Sequence, residues 1–422
     1  MVVMQDEVQI SSDQDKLFTT YLWLLSISSF YFVNFLASFV RQIPFGKGIA
    51  GMFMMISEII LIVLAIRTYK NYYAELNPLT RIIIILTIIY NVAHIIFSIF
   101  FADEVAYLSF FGNPMHQPVF MLPFAFMVGL NAERFGILYK CVWYNVWLMV
   151  PIYLLTRFAE PFAGMGLLYL LSFALYLPRN KRIFILVFTV LYCLLCYYGD
   201  ARAAVIRALM GGAILMFSYT KFYKSFFVKL ILFLAIISLP LYFLILFIRT
   251  GYSVFEQSAI TSYVSDLNVE HAADTRTFLY QELFEDLTDN KAWIFGKGIT
   301  GTYHSEYFND KYSDVIAERF VVEVGWLFCL LKGGLIQTIL YMILLVVASY
   351  RCMFRSNNRF LVLLGLILLS HYILLFVEEL PRYEVYNIAM WMYIGMAFVL
   401  TSDDSYDEDW CEEQFNTMFI KS

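Results

Sequence analysis

Apolar runs of about twenty residues recur along most of the chain, and this recurrence limits the folds open to it. The segment IIIILTIIYNVAHIIFSIFF, residues 82–101, contains no Asp, Glu, Lys or Arg. As an α-helix rising 1.5 Å per residue it is about 30 Å long, the thickness of a bilayer's hydrocarbon core. Of 422 residues, 61% are hydrophobic and 15% charged, whereas soluble domains hold roughly 45–50% and about 25%. A soluble exterior must be mixed and free of large apolar patches, so this much apolar surface calls for lipid. The expected fold is all-α: a polytopic integral membrane protein with about 12 transmembrane helices and one large extracytoplasmic loop domain.

Spans are expected near residues 17–39, 49–66, 80–101, 118–133, 137–156, 161–178, 183–199, 201–219, 227–248, 320–349, 359–377 and 385–401. The fourth and sixth are short and interrupted by Pro123, Gly129, Gly164 and Gly166. Cytoplasmic loops carry an excess of Lys and Arg. Twelve spans put Arg67, Lys70, Arg81, Arg134, Lys140, Arg179, Lys181, Arg182, Lys221, Lys224, Lys229, Arg351, Arg355 and Arg359 on one side. The opposite short loops hold only Arg41, Lys47, Arg157, Arg202 and Arg382. Both termini are then cytoplasmic. With no basic leader or small-residue cleavage site, the first apolar segment reads as a retained span. The chain divides into a transmembrane bundle of about nine spans over 1–248, an extracytoplasmic (periplasmic) loop domain over 249–319, three last spans over 320–401, and an acidic cytoplasmic tail over 402–422.

The 249–319 loop is polar and contains twelve acidic side chains between Gly251 and Glu318. Loops beyond about 15 residues are usually functional, folded or disordered. TRTFLYQELFEDLT, residues 275–288, reads as an amphipathic helix with Asp274 as N-cap and Phe278, Leu279, Phe284 and Leu287 on its packing face. IFGKGITG, residues 294–301, reads as a glycine-hinged turn. The tail carries seven acidic residues and one lysine and is expected as a solvated end.

Ionisable groups near membrane spans are costly and are functional candidates by default. Arg202 and Arg207 lie in the opening turns of the eighth span, and Arg249 closes the ninth. Arg276 lies on the loop helix, while Arg319 and Glu323 stand at the outer start of the tenth span. Glu378, Glu379, Arg382 and Glu384 cluster in the outer loop between the last two spans. Elements far apart in sequence thus bring charge to one membrane level. A guanidinium's planar fork binds phosphate oxygens in pairs, which suits a lipid-linked diphosphate whose hydrocarbon tail stays in the bilayer. The plainer reading, that the arginines snorkel or pair with nearby carboxylates, stands beside it. Glu323 is the candidate base, because partial burial raises a carboxyl pKa into the working range. His304, in the external loop, is a second hydroxyl-activating candidate, ahead of His271.

Other chemistries find no footing. His94, His116 and His371 form no short-spaced ligand set and read as packing or helix-interface residues. Neither HExxH nor paired Cys/His spacing occurs, so no metal is expected. GKGITG lacks the spacing of a nucleotide-binding glycine loop. Cys193 and Cys196 lie inside an apolar run and read as buried helix positions. No basic domain is present and the net charge is -5, so nucleic acid is not an expected partner.

Three motifs carry a family resemblance. GDARAA, residues 199–204, places Arg202 at the opening of a helix two spans before the large loop. DTRTFLYQELFEDLTDNKAWIFGKG, residues 274–298, sets Arg276 about twenty residues before Gly296-x-Gly298, and LLKGGLI follows at 330–336. Over roughly residues 180–350 the chain resembles the bacterial superfamily of O-antigen and related polysaccharide repeat-unit polymerases, which also includes the O-antigen ligases. Where the ligases, and many polymerases, carry a histidine near the next span's outer start, ERFVVEVG offers Arg319 and Glu323 instead. That departure argues against a typical lipid A-core ligase and leaves the identity of the base open.

The resemblance implies a membrane-embedded glycosyltransferase of the bacterial inner (cytoplasmic) membrane. It would polymerise undecaprenyl-diphosphate-linked oligosaccharide repeats into O-antigen or related surface polysaccharide at the outer face. Arg202 and Arg276 are assigned to the diphosphate, with Arg249 and Arg319 as supporting donors, and Glu323 orients or deprotonates the acceptor hydroxyl. Arg207, Arg382, His304, Gly296 and Gly298 complete the substrate-binding set. No cofactor is implied, because the diphosphate donor already carries the activation. A chain-length regulator and a flippase of the same pathway are the implied companions, alongside membrane lipid. Ligase-type transfer and a lipid-linked saccharide transporter remain as alternatives, although transporters favour symmetry-related halves over this lopsided layout. A non-enzymatic envelope scaffold leaves the arginine placement unexplained.

Overall fold

A computed structural model describes residues 2–31, 46–74, 76–101, 118–155, 163–198, 202–250, 277–306, 318–356, 358–377, 379–401 and 408–419. Within these the regular elements are helices and one two-stranded pairing. In chain order the helices are α1 (Val2–Tyr31), α2 (Gly46–Tyr72), α3 (Pro78–Phe101), α4 (Pro118–Val128), α5 (Phe135–Leu155), α6 (Ala163–Ser172), α7 (Arg179–Tyr198), α8 (Arg202–Tyr219), α9 (Phe226–Thr250) and α10 (Thr277–Asp289). They continue as α11 (Gly325–Phe354), α12 (Arg359–Val377), α13 (Val385–Leu400) and α14 (Glu408–Phe419).

Six helices are long and apolar enough to cross a membrane: α2, α3, α7, α9, α11 and α12. The number rises to seven if α4 and α5, bent by 105° between Val128 and Ala132, count as one broken span. The twelve expected segments each contain a helix, yet among the described residues the others are not both long and apolar enough to cross by themselves. The fourth and fifth segments differ most from expectation. α4 has only 11 residues, about 16 Å of helix, and a 3₁₀ turn at Ala132–Arg134, capped by the Asn131 side chain, follows it directly.

Burial ranks the helices from centre to rim. Every residue of α13 is buried, and a helix apolar on all sides belongs at a bundle's centre. α12, beside it, is 83% buried, whereas α7 and α9 are 17% buried and turn Val187, Val190, Phe227 and Ile231 outward. Apolar side chains thus fill both centre and rim, the pattern expected where the solvent is lipid.

At one end of the bundle, basic side chains tie helix termini together. Arg134 is fully buried and donates to Thr68 Oγ1, the Val128 carbonyl and Gln14 Oε1. Arg182 donates to the Leu175 and Leu177 carbonyls and to Tyr219 OH. Arg359 donates to Tyr223 OH, and Arg351 to Thr401 Oγ1 and the Phe398 carbonyl. All four were expected as loop charges on one side. They do gather at one end, though as structural pins and not as solvated markers. The tail also departs from a solvated end: Phe415 of α14 is 1% exposed, stacked on Tyr176 and edge-on to Phe135 and Tyr139.

The loop domain's helix α10 packs through Leu279, Leu283 and Leu287, all buried, with Phe278 and Phe284 partly covered. Leu283 completes an i, i+4, i+8 stripe that the sequence reading had only in part; Asp274, the expected cap, lies outside the described residues. β1 (Tyr303–His304) pairs antiparallel with β2 (Glu318–Arg319), in the register Tyr303 to Arg319 and His304 to Glu318. α11 therefore begins at Gly325, five residues later than expected, because the approach to it is extended.

Candidate functional site at the α12–α13 end of the bundle

Two structural devices shape this end of the molecule. The first is a break in α11. Gly334 has φ 67° and ψ -167°, which interrupts the helical hydrogen-bond ladder inside a membrane span. Non-helical backbone at that depth is tolerated only where protein or a water-lined cavity satisfies it. Here the 293–301 segment does so: Lys297 N–H and Gly298 N–H donate to the Leu331 and Lys332 carbonyls at 2.7 and 2.9 Å, and Leu335 N–H donates to the Trp293 carbonyl at 2.8 Å. Lys332 Nζ returns two bonds, to the Ile299 and Gly301 carbonyls. From α3, Tyr90 OH donates to the Gly333 carbonyl, and Ser98 Oγ accepts from Ile299 N–H. Gly296 and Gly298 both have positive φ, and a Cβ at Gly296 would strike the α11 backbone. Their role in this structure is to let the loop backbone lie on the broken helix.

The second device is the short connection between α12 and α13. Glu379 N–H donates to the Leu374 carbonyl and closes α12. The turn folds the Glu379 side chain back onto its own helix, where Oε1 lies 2.6 Å from His371 Nδ1. His371 Nε2 in turn lies 2.6 Å from Tyr169 OH of α6, which is 2.9 Å from the Tyr386 carbonyl. His371 and Glu379 are 0% and 1% exposed. A phenol has one proton, so it serves one of these two acceptors. With neutral His371, Tyr169 donates to Nε2 and Nδ1–H to Glu379. With an added proton on Nε2, the hydroxyl turns to the Tyr386 carbonyl and every donor is still satisfied.

Beyond Glu379 the connection presents charge nearer the surface. Glu384, the residue before α13, has extended backbone, and its Oε1 accepts from Asn387 Nδ2 at 3.1 Å. Burial pushes its carboxyl above the usual range, and Glu379 adds to that; Arg382 and then Arg207, from α8, oppose it. Arg207, Arg382 and Glu384 are all half-buried. On the other flank, Tyr383 reaches Tyr21 OH of α1 and Ser57 Oγ of α2.

The sequence-derived site residues fall into three groups. Arg207 and Arg382 both act electrostatically on Glu384, which the sequence reading placed in the charged loop without giving it a role. Arg319 and Glu323 form a second cluster, 3.9 Å apart with Glu323 49% exposed. Arg319 stands across the strand pair from Tyr303, whose buried phenol is pushed up to about 12 by burial and partly drawn back by Arg319. The two clusters are neighbours, since the backbone at Gly325 lies against the Glu379 carbonyl with no room for a Cβ. Arg249 is exposed in the last turn of α9, and His304 lies exposed on β1. Arg202 begins α8 as expected, while Arg276 lies outside the described residues.

His371 and Glu379 escaped the sequence reading as a pair. Their spacing of eight residues fits neither a helical neighbour nor a ligand motif, and only the turn after Val377 unites them. An ionisable pair flanking a span's end was the available signal. Among the described residues, no three His, Cys, Asp or Glu side chains converge as metal ligands. The chain matches no protein-family model, no curated protein and no solved structure.

Proposed function

We propose that the protein is a membrane-embedded glycosyltransferase that joins oligosaccharide repeats carried on a polyprenyl diphosphate, of the undecaprenyl type, into a surface polysaccharide. The observation that carries this reading is that two arginines from separate elements, Arg207 of α8 and Arg382 of the α12–α13 connection, act electrostatically on one half-buried carboxylate, Glu384, at an end of a membrane bundle. Paired arginines at the bilayer boundary suit a diphosphate whose tail lies in lipid. The acceptor hydroxyl attacks the donor's anomeric carbon, and the bond to the diphosphate breaks. Arg249 and Arg319 are proposed as supporting donors, and Arg202 and Arg276 keep the diphosphate role that the resemblance implies. The reading takes all twelve helical segments as crossings, with both termini cytoplasmic and this site on the outer face of a bacterial inner membrane.

A proton-linked transporter is the second reading. The enclosed Tyr169–His371–Glu379 chain and the interrupted α11 favour it, since transporters use broken helices around buried ionisable groups. One experiment separates the two. Purified protein in nanodiscs is given defined undecaprenyl-diphosphate repeats, with Arg276→Ala alongside. A product ladder advancing by whole repeats, lost in the variant, supports a polymerase, and transfer of a single chain to a different lipid supports a ligase. Bound substrate with no bond formed favours transport.

A further inference from the structure

We propose that Glu384 is the general base of this transfer, the carboxylate that takes the proton from the attacking acceptor hydroxyl; the assignment rests on the glycosyl-transfer reading above. Access separates it from Glu379 and Glu323, two other acidic residues at this end of the bundle. Glu379 is shut in at 1% exposure, with one oxygen committed to His371. Glu323 is 49% exposed beside Arg319, where water shares its charge. Glu384 is half-buried, enclosed enough to hold a desolvated charge and open enough to meet a sugar. Among the described residues, Asn387 Nδ2 is the one hydrogen-bond donor to its carboxylate. That bond fixes Oε1 and leaves Oε2 for a hydroxyl.

Position matters as much as access. Arg382 stands two residues away on the same connection, and it and Arg207 of α8 both act electrostatically on Glu384, so the carboxylate shares one site with the two groups proposed to hold the diphosphate. In an in-line displacement the acceptor oxygen approaches the face of the sugar opposite the diphosphate, with the base behind it. As the acceptor oxygen bonds to the anomeric carbon, its proton passes to Glu384. The electron pair of the breaking carbon–oxygen bond leaves on the diphosphate, toward Arg207 and Arg382. Glu384 then releases its proton to water, and the anomeric carbon inverts. Asn387 of α13 bonds to Glu384, and the groups in electrostatic contact with it are Arg382 and Glu379 from the connection, Arg207 from α8, Tyr169 from α6 and Tyr386 from α13. Burial holds its carboxyl above the ordinary range, which makes it a better proton acceptor near neutral pH.

The test uses the full chain in nanodiscs with a repeat that the wild type elongates. Glu384→Gln is expected to lower kcat by about 100-fold or more while KM changes little, the scale of a lost general base. Its rate is also expected to lose the acidic limb that the wild type shows. Glu384→Ala is expected to regain rate on addition of formate, which leaves the wild type unaffected. An active wild type whose folded Glu384→Gln variant keeps kcat within about fivefold overturns the assignment alone. So does a Glu384→Ala variant that binds the repeat but ignores formate. If neither variant folds, Glu384→Asp must lower kcat and move the acidic limb, and an unchanged profile overturns the assignment. A wild type that elongates no repeat overturns the glycosyl-transfer reading, and this assignment with it.

Discussion

His371 and Glu379 are two ionisable side chains with no measurable access to water, set 2.6 Å apart near the end of a membrane span. Such a pair is held by its partner and not by solvent. Removing one member leaves a buried group that the protein has already stripped of water, and breaking a buried pair costs about 3–5 kcal/mol. Replacing both by apolar groups of similar size is often close to neutral. Glu379→Leu and His371→Leu alone are therefore each expected to lower the unfolding free energy by about that much, and the double variant by distinctly less than the sum. Reversible unfolding in mixed detergent micelles measures the cycle. Additive losses would mean that the two residues stabilise the bundle independently, against the geometry. Tyr169 joins the pair to α6 and, through the Tyr386 carbonyl, to α13. The connection that carries Arg382 and Glu384 is thus anchored at both ends by this one hydrogen-bonded chain.

Among the elements, α11 and the 293–301 segment behave as one unit. The break at Gly334 exposes carbonyls and N–H groups that the loop's backbone satisfies, helped by Tyr90 of α3 and Thr338 of α11 itself, and neither half makes sense without the other. Gly334→Ala puts a Cβ against the Ile294 carbonyl in a backbone conformation reserved for glycine. Its expected cost is about 1–3 kcal/mol, together with faster proteolysis within the 293–301 segment. Gly212→Ala on α8, where a Cβ meets nothing within 4 Å, is expected to gain about 0.5–1 kcal/mol instead. Equal effects at the two positions would remove the docking argument. The sequence displayed both halves of this unit, GKG and LLKGG, as separate glycine motifs. It could not display their contact, because hydropathy gives the path of a helix and not the place where its ladder opens. Leu283 was hidden for a smaller reason: the stripe Leu279–Leu283–Leu287 was read through its larger aromatic neighbours. Of the candidate site, the charged residues were legible one by one, and their grouping around Glu384 depended on tertiary folding.

At the scale of the whole molecule the open quantity is the number of crossings, and the central helix decides how the shorter segments count. α12 is 19 residues long and apolar enough to span by itself. α13 has 16 residues, about 24 Å of helix, and falls below the length required. It nevertheless starts at the Glu379–Glu384 connection, beside the end of α12. Trp410 and Phe415 of α14, just beyond it, pack on Phe360 and Phe173 near α12's start. α8 does the same, with Arg207 near Glu384 at one end and the turn at Tyr223 beside Arg359 at the other. A helix enclosed by other helices need not match the bilayer's apolar thickness by itself, since its neighbours meet the lipid. This is why hydropathy and the structure disagree on the count while agreeing on where the helices are. The disagreement has a direct test in single cysteines placed in a background without the native ones. Asn290 follows α10, and Glu412 is exposed on α14. Between them lie α11, α12 and α13, which make three crossings if α13 traverses the membrane and two if it does not. Asn290→Cys and Glu412→Cys are expected to react with a membrane-impermeant maleimide from opposite sides of sealed vesicles. Labelling from the same side would leave α13 buried without crossing, and the paired positions of Glu384 and Phe415 at opposite ends of α12 would then have to be given up.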